Sequence, residues 1–157
     1  MAEKIIETAY AKINLGLSIL GKRKDGYHEV SMIMQSVGLC DEVIITEGEG
    51  IQISTNLEGL TCDKNNLAYK ATALLAEKYN VIPNVHIILN KKIFMAAGLA
   101  GGSSDAAAVL RGLNKYWNLN LGDDTLETLA AELGSDVPFC ICGGSAIAAI
   151  GPVIKAK

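Results

Sequence analysis

The residues of this chain best equipped for chemistry gather between Lys92 and Asp105, where a strand-like segment passes through small residues into a helix-like one. Gly98, Gly101 and Gly102 let the backbone turn tightly and approach a ligand with no Cβ in the way. The amides of Gly101 to Ser104 would project from the N-terminus of the helix that follows, where the macrodipole favours an anion. Ser103 and Ser104 add hydroxyl donors, and Ser104 is placed to meet a phosphate-bound Mg²⁺. No Walker lysine follows, because GxxxxGKS/T is absent, and there is no GxGxxG. A plain glycine-rich turn with a Ser or Asp helix cap would use the same residues, so composition leaves both readings standing.

Two further side chains have the right chemistry. Asp136 is a carboxylate at a turn just after a helix, beside an apolar run that would partly desolvate it, as suits a general base. A loop or cap aspartate fits the same position. Lys12 lies in an alternating strand on the parity of Asn14, so both share the face opposite Ile13 and Leu15. Strand lysines commonly face solvent. Tyr27 and His28 follow Gly26 in a turn and, taken alone, are two exposed loop residues. His86 alternates within a strand and reads as structural. Cys40, Cys62, Cys140 and Cys142 have no CxxC spacing, which argues against structural zinc. Cys140 and Cys142, in an apolar stretch, read as small packing residues.

These groups need elements to hold them. Ile13, Leu15, Leu17 and Ile19 alternate with smaller or polar residues, the period of a half-buried strand. Gly21 to Gly26 forms a charged turn, and an extended segment resumes from Glu29 to Leu39. Asp41 to Glu47 and Gly50 to Ser54 look like a hairpin around Glu47-Gly48-Glu49-Gly50. Asn65 or Asn66 caps a helix to about Tyr79, with Leu67, Ala71, Leu74 and Leu75 at helical spacing. Asn84 to Asn90 is another strand, and Ser103 to Trp117 an Ala-rich helix with Ala106, Val109, Leu110 and Leu113 on one face. Asp124 and Glu127 are spaced as a capping box for a helix ending near Leu133, with Gly134 at the left-handed C′ position. Ser145 to Ile150 is the last expected strand. The pattern is that of a single α+β domain.

Composition narrows the function classes. The 157 residues suit one domain of ordinary size; half are hydrophobic and 20% charged, enough for a core and unlike a disordered chain. No apolar run reaches the ~20 residues of a membrane helix. Met-Ala-Glu-Lys is charged at once and lacks a signal-peptide core, so a cytoplasmic location is expected. Net charge is −3, and Lys22, Arg23 and Lys24 form the only basic run, too small for a nucleic-acid footprint.

The segment Ala97-Gly98-Leu99-Ala100-Gly101-Gly102-Ser103-Ser104-Asp105-Ala106-Ala107 resembles the phosphate-binding motif of the GHMP small-molecule kinases. Within them it is most similar to the version in kinases of cytidine-diphosphate-linked methylerythritol. Ala11-Lys12-Ile13-Asn14-Leu15, with Asp25-Gly26-Tyr27-His28 after it, is similar to the family's first strand and turn. Gly134-Ser135-Asp136-Val137-Pro138-Phe139 is similar to its catalytic-aspartate motif. Phe94 stands where the family usually has proline and Ala100 where glycine is common, which points to altered affinity rather than lost binding. Ala149-Ile150-Gly151-Pro152 departs from the expected glycine-rich strand end.

The resemblance implies a ribosomal protein S5 domain 2-like α+β two-layer sandwich with a left-handed βαβ crossover. It implies ATP and Mg²⁺ bound through Phe94, Met95, Ala96, Ala97, Gly98, Leu99, Ala100, Gly101, Gly102, Ser103 and Ser104, with Asn66 and Leu67 flanking adenine. Asp136 becomes the base and Lys12 its electrostatic partner. Asn14, Tyr27 and His28 become contacts for a small-molecule substrate, Tyr27 stacking on cytidine and His28 bonding the base. The family's C-terminal domain is expected to be missing from residues 1–157, leaving the chain alone nearly silent and prone to self-associate as a homodimer. Rival readings are another GHMP kinase, for homoserine, mevalonate or a sugar, and a nucleotide-binding domain without turnover.

Overall fold

Runs of Ile and Val alternating with polar residues build the sheet, and its inward face positions everything else. The computed structural model describes residues 4–22, 28–93, 101–143, 145–149 and 153–155, with side chains for 4–13, 34–93 and 101–143. Two long strands, β1 (Lys4–Lys22) and β2 (His28–Glu47), pair antiparallel. β2 runs without a break through Cys40, joining two segments read separately in the sequence. Register shifts interrupt the β1–β2 ladder, the first between Tyr10 and Lys12. That irregularity rephases the alternation, so Ala11 and Lys12 are buried in succession.

The expected hairpin between Asp41–Glu47 and Gly50–Ser54 is not made. β3 (Ile51–Thr55) pairs in parallel with β4 (Val85–Asn90), which pairs antiparallel with β2 and so lies between them. Gly48 permits the crossing: a Cβ there would sit 2.8 Å from the His86 nitrogen and the Val85 carbonyl carbon. Alternation sets which face a strand buries but not its neighbour, and both segments found the same partner in β4. The remaining strands, β5 (Ser145–Ala149) and β6 (Val153–Lys155), extend the sheet beyond β2; β6 lies past the last strand expected.

Helix α1 (Leu67–Tyr79) begins where the Asn66 side chain accepts from the Ala68 amide at 2.8 Å, and ends at Asn80 with φ 53°. Helix α2 (Gly101–Tyr116) starts two residues before its expected position and is buried at every residue from Ser104 to Leu110. Its alanines explain how it fits there, since bulk on all sides would force it off the sheet. It packs with α1 over Val43, Ile45, Val85, Ile87 and Leu89, forming one core in a two-layer α+β arrangement. Each large apolar side chain buried there contributes roughly 1.5–3 kcal/mol.

Two readings near α3 (Asp123–Ala131) need correction. Gly122, not Asp124, holds its N-cap, although Asp123 and Asp124 still complement the dipole in the first turn. Gly134 is not among the positive-φ glycines; tight i→i+3 bonds from Glu132 to Leu129 (3.1 Å) and Leu133 to Ala130 (2.9 Å) end the helix instead. The chain then enters a further short helix, α4 (Val137–Cys142), where an apolar run was expected. No helix among the described residues is long and apolar enough to cross a membrane.

Candidate active site

Asp136 sits at the N-cap of α4, with Pro138 in the first turn setting the helix start. Its Oδ2 lies 3.7 Å from Lys12 Nζ on β1, a lysine side chain only 5% exposed against 41% for the aspartate. A buried ammonium therefore faces a carboxylate that an incoming hydroxyl can still reach. The first turn of α2 lies close by: Ser104 Oγ donates to the Tyr10 carbonyl at 2.6 Å, two residues before Lys12. The start of α1 is adjacent as well, since a Cβ on Gly102 would be 3.9 Å from Leu67 Cδ1. Three helix N-termini, of α1, α2 and α4, and an ion pair thus share one end of the domain.

A second charged cluster holds the segments on either side of residues 94–100. Lys91 Nζ bonds Asp41 Oδ2 at 2.5 Å and Asp105 Oδ2 at 2.6 Å, with all three side chains at most 4% exposed. Asp41 Oδ1 also accepts from the backbone amides of Lys92 (2.6 Å) and Ile93 (2.8 Å). One lysine and two aspartates therefore tie the end of β4 to α2 just past its first turn. Burial foremost, then a hydrogen bond to Asp41, pushes Asp105 from the usual 3.8 up to about 8, against the pull of Lys91. Burial also raises Asp41, but hydrogen bonds from Asp105, the Ile93 amide, Lys91 and the Lys92 amide outweigh it and hold Asp41 below its ordinary value. Among the described residues no hydrogen-bond partner faces the buried Asp105 Oδ1.

This arrangement has a measurable consequence for stability. Between the unfolded value of 3.8 and the folded value of about 8, the native state keeps a proton on Asp105 that the unfolded chain has lost. Stability from this group therefore falls as pH rises through that window and levels off above it. Asp41, shifted downward, acts below 3.8, and Lys91, raised, above 10.5, so neither overlaps it. Asp105→Asn mimics the neutral acid, and its Tm relative to native should climb steadily from the acid to the alkaline end of the window. A constant offset across that range would contradict a neutral Asp105.

The structure brings some expected site residues together and leaves others undescribed. Lys12 and Asp136 meet as above, and Gly101, Gly102 and Ser103 open the helix whose Ser104 bonds Tyr10 on the same strand as Lys12, with Gly102 exposed and Ser103 partly so. Ser104, expected at the phosphate-bound Mg²⁺, is 2% exposed, and its hydroxyl donates to the Tyr10 carbonyl. Asn66 spends its side chain on the α1 cap and on the Thr61 carbonyl (2.7 Å), while its amide donates to the Asp63 carbonyl and its own carbonyl accepts from Lys70, both at 3.0 Å, so an adenine-flanking role would rest on packing rather than on hydrogen bonds. Phe94, Met95, Ala96, Ala97, Gly98, Leu99, Ala100 and Tyr27 lie outside the described residues, as do the side chains of Asn14 and His28. His86 is structural as expected, its Nε2 2.5 Å from Ser54 Oγ across β3 and β4. Burial first, then Asp136, pushes the Cys140 thiol up to about 12, so it remains a packing thiol. Cys142 is exposed rather than packed, because the end of α4 turns it outward near Glu127 (3.7 Å).

The family profile "GHMP kinases N terminal domain" matches residues 66–144, from the α1 cap through α4. The chain belongs to that family. Among its relatives, the 4-diphosphocytidyl-2-C-methyl-D-erythritol kinase of Bacillus cereus (strain B4264) is 56% identical over 147 residues, covering 92% of this chain and 51% of the relative. The enzyme of the same name from Bacillus subtilis (strain 168) is 52% identical over the same coverage. The chain spans about half the length of the curated relatives it matches. A crystal structure of 4-(cytidine 5'-diphospho)-2C-methyl-D-erythritol kinase superposes with a TM-score of 0.77 at 38% identity, covering 92% of this chain and 52% of that one. The mevalonate kinase of Methanococcus jannaschii, at 16% identity and a TM-score of 0.74, shares the GHMP fold.

Proposed function

We propose that this chain is the nucleotide-binding half of an ATP-dependent kinase acting on the 2-hydroxyl of 4-diphosphocytidyl-2-C-methyl-D-erythritol. The observation that carries the reading is the Lys12–Asp136 contact of 3.7 Å beside the N-terminus of α2. Phosphoryl transfer to an alcohol is mainly positioning and charge stabilisation. The loop 94–100 and the first amides of α2 would cradle the phosphates. Asp136 would take the hydroxyl proton, and Lys12 would stabilise the charge that develops. Asn14, Tyr27 and His28 would bind the cytidine-bearing substrate, in line with the names of the relatives. Mg²⁺ enters this reading as part of the substrate, Mg·ATP, carried on the phosphates.

The relatives are about twice as long, so a second half is expected to complete the acceptor pocket. Losing it removes orientation, which supplies much of the rate in reactions of this kind. A coupled ADP-release assay tests both points, using the chain alone and with the second half of the Bacillus cereus relative added in trans. Turnover should be nearly absent with the chain alone and appear with both halves, with 4-diphosphocytidyl-2-C-methyl-D-erythritol as acceptor and not with homoserine or mevalonate. Equal turnover of mevalonate or homoserine would move the chain to another branch of the family. Nucleotide binding without transfer to any acceptor would favour a non-catalytic domain.

A further inference from the structure

We propose that Arg111 is a positioning residue for Asp136, tying the C-terminal end of α4 to β1 and so fixing the separation of Asp136 from Lys12. The inference rests on the base and partner roles proposed above. Arg111 projects from α2 into the junction of three elements. Its Nη1 donates to the carbonyls of Cys140 (2.8 Å) and Ile141 (3.0 Å), and its Nη2 to the Thr8 carbonyl (2.9 Å). Its Nε donates to Glu7 Oε1 at 2.9 Å, and Glu7 Oε2 in turn accepts from Lys115 at 2.7 Å. None of these bonds goes to Asp136 or Lys12. Arg111 therefore acts on the pair through the elements that carry it.

The junction needs such a tether. α4 has six residues, too few for a helix to persist without tertiary support, and its first bond, Cys140 N to Asp136 O, is long at 3.4 Å. Arg111 supplies donors to two carbonyls in its last turn, those of Cys140 and Ile141. The inner side of α4 is held by packing of Val137, Phe139 and Ile141 into the core, but toward β1 an open cleft of about 350 Å³ remains, lined by Thr8, Tyr10, Arg111, Cys140 and Ile141 among others. On the strand side Arg111 grips Thr8, ahead of the register shift that leads into Lys12. A planar guanidinium can hold two carbonyls of one element and one of another in fixed geometry; a lysine ammonium cannot.

Arg111→Met and Arg111→Lys, made in the protein at full genomic length, test the role. Arg111→Met should lower kcat about tenfold or more while the Kd for Mg·ATP stays within about threefold, and Arg111→Lys should recover part of the loss. Hydrogen exchange at the Cys140 and Gly143 amides should accelerate while the α1 amides keep their protection. In an Asp136→Asn background, Arg111→Met should lower kcat by no more than about twofold, because a group that acts by placing Asp136 has nothing left to place. Losses that multiply in the double variant, native kcat in Arg111→Met, or unchanged α4 exchange would overturn the proposal. If Asp136→Asn itself keeps native kcat, the base assignment fails and the positioning role with it. If Asp136→Asn collapses while Arg111→Met does not, only the positioning role is wrong.

Discussion

Asp136→Asn is expected to lower kcat by about 10²-fold or more while leaving Mg·ATP affinity within a fewfold of native. The amide keeps the size of the carboxylate and its place at the N-cap of α4, where the side chain makes no cap bond that the change could break. What it removes is the carboxylate 3.7 Å from Lys12 that is proposed to accept the proton. General-base catalysis is worth roughly 10²–10⁴ in rate, larger than any binding effect expected from an exchange at a half-exposed side chain. Lys12→Met should behave similarly, since it removes the buried charge facing the base. Its packing cost is limited by the stem, which methionine largely replaces. Steady-state kinetics on the completed enzyme, paired with calorimetric ATP binding, separates the two quantities. A near-native kcat in Asp136→Asn would show that another group takes the proton.

Features set by neighbours in sequence were legible from the residues alone. The Asn66 cap, the alternation of β4 and the Ala-rich α2 each follow from local spacing, and each stands within a residue or two of its expected bounds. Strand pairing was less legible. Val43, Ile45, Ile51 and Ile53 alternate whether β3 lies beside β2 or one strand away, and only the insertion of β4 decides between them. The helix α4 went unseen because six residues hold too few turns for a period, although a proline just inside an aspartate N-cap was a usable signal.

The site divides in the same way. Lys12 and Asp136 could be named from motifs, but their meeting depends on the irregular β1–β2 register and on α4, neither visible in the local pattern. Lys91 and Asp41 were missed altogether. Asp41 reads as an ordinary strand-entry aspartate and Lys91 as half of an exposed Lys-Lys pair; their union with Asp105 is purely tertiary. The bond from the Ser104 hydroxyl to the Tyr10 carbonyl is likewise tertiary, and nothing in the glycine-serine run announces it.

The nucleotide claim is tested most directly by calorimetric titration of Mg·ATP into the native chain and into Gly102→Val. Position 102 is the better probe of the two helix-start glycines. A Cβ at Gly101 would stand 3.1 Å from Ile93 Cγ2 and 3.3 Å from Lys91 Nζ, so a side chain there disturbs the loop's own anchor. Among the described residues the nearest atom to a Cβ at Gly102 is Leu67 Cδ1 at 3.9 Å, and the residue is exposed, so valine should fold and fill the space where phosphate is proposed to approach the amides. The expected result is saturable binding by the native chain and a Kd weakened by about tenfold or more in Gly102→Val, equivalent to ~1.4 kcal/mol or more, with native-like thermal unfolding in the absence of nucleotide. No heat from the native chain at millimolar Mg·ATP, or equal affinity in the folded variant, would contradict the account.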